Sequence, residues 1–209
     1  LLDLKARGLR HAPQLAVGDG ALGFWKALAK VFPTTRVQRC TVHKTANVIN
    51  KMPKSVQPQA KRILHQIWDA PKKEEANKAF DLFINTFEAK HSAAVECLKK
   101  DRNVLLTYYD FPAENWCHIR TTNPIESTFA TIRLRHRKTK NSGSARTSLV
   151  MLFKLAQSAA KGWRKLRGHQ HIPDLIQGIR FIDGVNEHHV KQQDASSPKI
   201  RTTHTETVA

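Results

Sequence analysis

The sequence has few cysteines: Cys40, Cys97 and Cys117. An odd and sparse count argues against a disulfide framework and fits a reducing compartment. Cys40 and His43 have the spacing of two zinc ligands, but a structural zinc site normally needs four, and no second pair with matching spacing is obvious. We therefore disfavour a zinc finger and predict a buried cysteine with a histidine near an active site.

Long apolar runs and acidic residues are also scarce. No apolar run approaches the ~20 residues that a membrane-spanning helix needs, and no signal-peptide pattern is visible at the N-terminus, so we expect no membrane partner. The 17 Asp and Glu residues are outnumbered by 35 Lys and Arg, which gives a net charge of +18. This imbalance predicts a polyanionic partner, with nucleic acid first. A cationic surface selected for solubility or for contact with a membrane surface is the alternative.

The N-terminal quarter has an α/β pattern. After a helix-like stretch over residues 1–9, an apolar run over 14–17 ends in Gly18-Asp19-Gly20. A helix over 21–32, an alternating strand over 35–41 and a helix to about residue 50 follow. This order predicts two parallel strands, at whose carboxyl ends functional groups collect. Asp19 is such a group, although capping of the next helix is its ordinary alternative.

The middle of the chain has helix signals and no strand signal. We interpret residues 53–110 as an all-helical insertion that divides an α/β core into residues 1–52 and 111–186. Within the insertion the pattern predicts separate helices, over 56–70, 73–90, 91–99 and 102–109. Residues 187–209 are polar and lack the apolar residues that offset ordering entropy, so we predict a disordered tail.

The stretch RTTNPIESTFATIRLRHRKTK, residues 120–140, has the strongest functional signal. Pro124 suits the first turn of a helix, and Glu126 lies in that turn, where the helix dipole favours a carboxylate. Apolar spacing predicts a buried face made of Ile125, Phe129, Ile132 and His136. The rest of the helix is basic, through Arg133, Arg135, Arg137, Lys138 and Lys140. From the helix alone, Glu126 either complements the dipole or binds a metal beside a cationic track for nucleic acid.

Further helices are predicted to bury apolar faces. In the helix over 21–32 the predicted stripe is Leu22, Trp25, Leu28, Ala29 and Phe32. A long helix over 145–166 has Leu149, Leu152, Phe153, Leu155 and Ala156 on its apolar side. Residues 172–185 are predicted to form one short final element.

A fold that brings Asp19 and Glu126 to one face of the sheet would create a site with two acidic ligands. Hard divalent ions such as Mg²⁺ bind carboxylate oxygens and keep waters for a substrate phosphate. Two such ions ~3.5–4 Å apart can activate the attacking oxygen and stabilise the leaving oxygen. We therefore expect Mg²⁺ or Mn²⁺ as the cofactor.

Four stretches, in order, resemble the mutator-type transposases, a large family encoded by bacterial insertion sequences with relatives in eukaryotic Mutator elements. They are VGDGALGFWKAL (17–28), FPTTRVQRCTVHKTANV (32–48), the stretch over 120–140 and FKLAQSAAKGWRKLRG (153–168). The resemblance covers about residues 1–185.

The resemblance implies an RNase H-like core with an Asp-Asp-Glu metal triad and a helical insertion between the second Asp and the Glu. By position, Asp19 matches the second acidic residue and Glu126 the third. Cys40 and His43 match a Cys-x-x-His signature beside the catalytic core. Arg133 or Arg135 matches the basic residue that follows the Glu on its helix.

The first Asp of the implied triad has no match. In the family it lies on the first core strand, before the segment similar to residues 1–8, whereas Asp3 lies in a helix-like stretch. We therefore expect a core that is incomplete at its N-terminus and a chain that is the C-terminal part of a transposase. Loss of one carboxylate should weaken metal binding and reduce activity.

For the complete protein, the resemblance implies double-stranded DNA as partner, both as terminal inverted repeats and as target. It also implies metal-dependent cleavage and transfer of the freed 3′-hydroxyl. We expect a homo-oligomer in the bacterial cytoplasm, associated with the nucleoid. Two alternatives stay open. One is a catalytically inactive DNA-binding remnant, and the other is a basic RNase H-like nuclease that does not transpose.

Overall fold

The structure is a computed structural model that describes residues 1–138 and 144–188. Lys140 and all but the first two residues of the tail predicted over 187–209 lie outside these ranges.

The N-terminal part contains the predicted parallel strands. Its elements are α1 (Leu2–Ala6), β1 (Leu15–Gly18), α2 (Leu22–Val31), β2 (Arg36–Arg39) and α3 (Thr41–Ile49). β1 and β2 pair in parallel, with Leu15 opposite Arg36 and Gly18 opposite Arg39. The order strand, helix, strand, helix is confirmed. Because parallel strands end at one edge of a sheet, the residues after them, Asp19 and Cys40, begin at the same edge.

The helical segment, which we define as residues 57–110, contains most of the core. It consists of α4 (Gln57–Trp68), α5 (Lys73–Lys99), α6 (Arg102–Leu105) and a 3₁₀ helix (Thr107–Asp110). The two helices predicted over 73–99 form one helix with a kink at His91, where φ is −137° and ψ is 46°. The largest fully buried apolar side chains here include Leu64, Ile67, Phe80, Phe83, Leu98, Tyr108 and Tyr109. Since burial of a large apolar side chain contributes about 1.5–3 kcal/mol, this segment provides most of the hydrophobic stabilisation.

The remaining elements return to the sheet edge and then to the helical segment. They are a 3₁₀ turn (Ala113–Asn115), α7 (Trp116–Ile119), α8 (Asn123–Lys138), α9 (Ala145–Ala160), a 3₁₀ turn (His169–His171), α10 (Ile172–Ile176), β3 (Phe181–Ile182) and β4 (Val185–Asn186). Ser144 caps α9, because its side chain accepts a hydrogen bond from the Thr147 amide at 3.2 Å. α9 ends at Ala160, before the predicted end at residue 166.

The predicted buried faces of α8 and α9 are largely wrong. On α8 only Ile132 is buried, whereas Ile125 is 59% and Phe129 is 50% exposed. Leu149 and Phe153 on α9 are also exposed. The two helices contact each other, but this contact leaves most of their apolar faces exposed. Periodicity identifies an apolar face and does not show which other element covers it.

The stripe predicted for α2 is buried only in part. Leu28 and Phe32 are 3% exposed, but Leu22 is 74% exposed and Ala29 is also exposed. The buried residues are therefore the ones at the C-terminal end of the helix.

A C-terminal hairpin packs against the start of the long helix α5. β3 and β4 pair antiparallel around Asp183 and Gly184, whose φ angles are 47° and 82°. Asp183 Oδ1 accepts a hydrogen bond from the Lys73 amide at 2.8 Å, and the Gly184 amide donates to the Tyr109 carbonyl at 3.0 Å. The hairpin thus caps α5, where the sequence predicted one short element.

In the described ranges each sheet has two strands, and the RNase H-like core stays a prediction. No described helix is both long and apolar enough to cross a membrane.

Candidate functional site

Asp19 lies in the turn after β1, and its carboxylate is exposed. Its Oδ1 atom accepts a hydrogen bond from the Ala21 amide at 3.0 Å, so it stabilises the entry to α2. Its backbone carbonyl accepts from Trp25 Nε1 at 3.0 Å and from Arg39 Nη1. Within residues 1–138 and 144–188 its other carboxylate oxygen accepts no hydrogen bond. Asp19 therefore caps the start of α2, which was the alternative role predicted from the sequence. Its second carboxylate oxygen is still available for a ligand.

Glu126 lies in the first turn of α8, and its side chain is 50% exposed. The Thr121 hydroxyl accepts a hydrogen bond from the Asn123 amide at 2.9 Å, which shapes the turn before the helix. The hydroxyl of Thr122 donates to Glu126 Oε1. The carboxylate is thus oriented by a residue four positions earlier.

Cys40, His43 and Thr122 connect the end of β2 to the Glu126 turn. His43 Nδ1 is 3.2 Å from the Cys40 sulfur, the Thr122 amide donates to that sulfur at 3.4 Å, and the Thr122 hydroxyl oxygen lies 3.4 Å from it. His43 Nε2 lies 3.8 Å from Glu126 Oε1. The sequence predicted Cys40 and His43 as neighbours of the site but missed Thr122, for which the four-residue spacing from Glu126 was the available signal.

Electrostatics favour a charged Cys40–His43 pair. Burial opposes ionisation of the Cys40 thiol, but hydrogen bonds from His43 and Thr122 outweigh it and lower the pKa of the thiol. Cys40 also precedes α3 as its N-cap, where the helix dipole favours a thiolate. The hydrogen bond to Cys40 raises the pKa of the His43 imidazole above its usual range, partly opposed by burial. Negative charge on Cys40, Glu126 and Asp19 raises it further.

The structure brings Asp19 and Glu126 close enough that both act on His43. In the described ranges neither carboxylate forms an ion pair with a Lys or Arg side chain. The basic group beside Glu126 is His43, at 3.8 Å, and carboxylate oxygens free of Lys and Arg partners are suitable ligands for a hard divalent ion. Two such ligands supply only part of a site, and the described residues contain no group of three or more His, Cys, Asp or Glu residues arranged to hold a metal.

The Cys40–His43 pair does not form a zinc site with other described residues. Its sulfur and imidazole nitrogen are hydrogen-bonded to each other, and no further ligands surround them among residues 1–138 and 144–188.

The basic residues on α8 form an exposed track. Arg133, Arg135, Arg137 and Lys138 are all exposed, and in the described part of the chain none forms an ion pair with a carboxylate. Lys140, the fifth predicted member, lies outside the described residues. Unpaired cations on one helix can bind phosphates, and such binding weakens as salt is added.

Comparisons with known proteins identify the family to which this chain is similar. Residues 1–165 match the family described as Transposase, Mutator family. The chain is 51% identical over 185 residues to the transposase for insertion sequence element IST2 of Acidithiobacillus ferrooxidans, covering 88% of this chain and 62% of that relative. It is 48% identical over 184 residues to the transposase for insertion sequence element IS6120 of Mycolicibacterium smegmatis, covering 88% and 57%. The chain thus spans about three fifths of the length of these relatives.

Proposed function

This chain belongs to the Mutator family of transposases, and on that premise we propose that it contributes to a DDE-type, metal-dependent transposase. In this proposal Asp19 and Glu126 are two of the three metal ligands. The complete protein cleaves DNA at the ends of an insertion element and transfers the freed 3′-hydroxyl to target DNA.

One observation carries the proposal. The two acidic residues come from distant parts of the chain, yet both carboxylates act on the same imidazole. Neither carboxylate has a Lys or Arg partner among residues 1–138 and 144–188, and the basic group beside Glu126 is His43, at 3.8 Å. Two carboxylates that share one imidazole and have no Lys or Arg partner fit a site for divalent cations.

Each group in the site has a defined part in this proposal. A bound Mg²⁺ or Mn²⁺ would activate the attacking oxygen and neutralise charge on the phosphate. Asp19 and Glu126 hold the ion, and Thr122 and His43 orient the Glu126 carboxylate through the contacts described above. Cys40 raises the pKa of His43 and holds its ring in place.

DNA binding is assigned to the α8 track. Arg133, Arg135, Arg137, Lys138 and Lys140 contact phosphates, which positions DNA without reading its sequence. The proposed substrates are terminal inverted repeats and target DNA. We further propose an RNase H-like core around β1 and β2, assembly as a homo-oligomer and a cytoplasmic, nucleoid-associated location in bacteria.

The experiment uses the full-length transposase that contains this chain. Glu126→Gln should abolish Mg²⁺-dependent cleavage of element-end DNA while leaving DNA affinity nearly unchanged, because it removes a charge from the metal site and none from α8. Glu96→Gln, at an exposed glutamate on α5, is the matched control. Cleavage by the Glu126 variant at the control rate would exclude Glu126 as a ligand.

A catalytically inactive DNA-binding remnant is the second candidate. It is favoured by the absence, in the described ranges, of a three-ligand acidic group. DNA affinity without metal-dependent nicking by the full-length protein would support it. Strand transfer of a pre-cut end would exclude it, and would also exclude a nuclease that does not transpose.

A further inference from the structure

We propose that Arg39 and Arg120 are positioning residues that fix the turns carrying Asp19 and Glu126 to the helical segment. This inference rests on the proposed function, because it concerns the separation of the two metal-binding carboxylates. Arg39 contacts the Asp19 turn on one side and the helical segment on the other. Arg120 directly precedes the Glu126 turn in the chain, and its side chain bonds to the helical segment.

Arg39 is the last residue of β2 and is only 8% exposed. Its Nη1 atom donates a hydrogen bond to the backbone carbonyl of Asp19. Its Nε atom lies 3.2 Å from Asp101 Oδ2, an ion pair without hydrogen-bond alignment, in the loop between α5 and α6. The guanidinium therefore spans from the Asp19 turn to the helical segment.

The surroundings of Arg39 are built to hold it. Lys44 is 1% exposed, forms an ion pair with the same Asp101 carboxylate and donates to the Cys97 carbonyl at 2.9 Å. A Cβ atom at Gly20 would lie 2.9 Å from both Arg39 Nη atoms. Glycine at position 20 thus gives the guanidinium room to reach the Asp19 carbonyl.

Arg120 makes the corresponding connection for Glu126. Its Nη1 atom donates to the Trp68 carbonyl at 2.6 Å and to Asp69 Oδ1 at 3.1 Å, both at the end of α4. Its own carbonyl accepts hydrogen bonds from the amide and the hydroxyl of Thr41, at 3.0 and 3.1 Å. Thr122, which orients Glu126, follows two residues later.

Both connections end on the helical segment. Asp101 and Asp69 both belong to the helical segment, so it sets the distance between the Asp19 and Glu126 turns. β2 is also held there independently, because Gln38 donates to the Leu105 carbonyl and accepts from the Tyr108 amide, each at 2.9 Å. Conservative changes at Arg39 or Arg120 should therefore leave the fold intact and loosen the turns.

The test compares Arg39→Lys and Arg120→Lys in the full-length transposase. A lysine keeps the charge, but it is a point donor that cannot span the Asp19 carbonyl and Asp101 as the planar guanidinium of Arg39 does. At position 120 its shorter side chain reaches the Trp68 carbonyl and the Asp69 carboxylate less well than Arg120 Nη1 does. Weakening a residue that supports a metal ligand typically costs about 10- to 100-fold in metal affinity, so the Mn²⁺ dissociation constant, measured by electron paramagnetic resonance, should rise by that factor. Arg102→Lys is the control. Arg102 bonds to Asn77 and Asp81 within the helical segment and contacts neither turn.

A second measurement reports on geometry without metal. Trp25 Nε1 donates to the same Asp19 carbonyl as Arg39, so its indole NMR signal should shift in Arg39→Lys and stay in place in Arg102→Lys. Unchanged Mn²⁺ affinity in both turn variants would overturn the inference. Failure of the proposed function looks different: wild type and Glu126→Gln would then bind Mn²⁺ equally, or not at all.

Discussion

At the scale of single residues, His43 is the most informative side chain of the site. Its imidazole contacts the Cys40 sulfur on one side and faces Glu126 on the other. The hydrogen bond between its ring and the Cys40 sulfur is the main cause of the raised pKa of His43. Burial opposes ionisation of Cys40, and its pKa is lowered mainly by the hydrogen bond from the His43 amide and by those from Thr122, with a smaller contribution from the His43 ring. The charge on the Cys40 thiol and the charge on the His43 imidazole therefore each depend on contacts with the other residue.

The sign of the pH dependence follows for each group. A raised pKa means that the contribution of His43 to stability is complete below its ordinary value of 6.5 and is lost as the pH rises through the raised value. A lowered pKa means that the contribution of Cys40 is complete above 9.0 and is lost as the pH falls through the lowered value. Both shifts favour the charged forms of the two residues, thiolate on Cys40 and imidazolium on His43.

Cys40→Ala should lower the pKa of His43 toward 6.5, because the variant removes both the hydrogen bond and the negative charge that raise it. The pKa is measured by NMR titration of the His43 ring protons. An unchanged His43 titration in Cys40→Ala would show that the carboxylates, and not the thiol, dominate the environment of this imidazole.

At the scale of elements, α8 shows what sequence alone could and could not predict. Its start, the place of Glu126 in its first turn and its basic residues follow from local chemistry, and they were predicted correctly. Burial of Ile125 and Phe129 depends on which other element covers them, and a single periodic segment does not contain that information. The contacts of Thr122 with Cys40 also depend on tertiary structure.

The hairpin β3–β4 was missed even though a local signal exists. Asp-Gly between apolar residues, as in FIDGVN, is a strong hairpin signal. Short strands give weak periodicity, so the pattern of β3 and β4 is less distinct than that of the helix-like residues before them. In contrast, the kink at His91 agrees with the predicted division between residues 90 and 91.

The exposed track on α8 leads to a prediction about salt dependence. Replacing Arg133, Arg135, Arg137 and Lys138 together by Gln should weaken binding to any duplex sequence. The slope of log affinity against log salt should fall by about 0.9 for each phosphate contact removed. The measurement is fluorescence anisotropy with labelled duplexes over a range of salt concentrations.

A charge-matched control separates the track from net charge. Lys72, Lys78, Lys90 and Lys100 are exposed lysines on or beside α5. Their replacement by Gln changes the net charge by the same amount but leaves α8 intact, so it should change the slope little. Equal slopes in the two quadruple variants would contradict the assignment of DNA binding to α8.

At the scale of the whole molecule, the helical segment organises parts of the chain that are distant in sequence. It contacts β2 through Gln38 and is connected to the two carboxylate turns through Arg39 and Arg120. The C-terminal hairpin contacts it through Asp183 and Gly184. The last of these connections should contribute to stability and not to the metal site, which makes it a useful contrast to the arginines.

Asp183→Ala should lower the free energy of unfolding by about 1–2 kcal/mol, because it removes the cap of α5 and leaves alanine in a left-handed conformation. Asp183→Asn keeps the accepting oxygen and tolerates this conformation, so it should stay within about 0.5 kcal/mol of wild type. Urea denaturation followed by circular dichroism gives both values. None of the hairpin contacts described above involves Arg39 or either carboxylate turn. Mn²⁺ affinity should therefore be the same in both variants and in wild type. A loss of stability as large in Asp183→Asn as in Asp183→Ala would mean that the charge of Asp183, and not its hydrogen bond to the Lys73 amide, stabilises the start of α5.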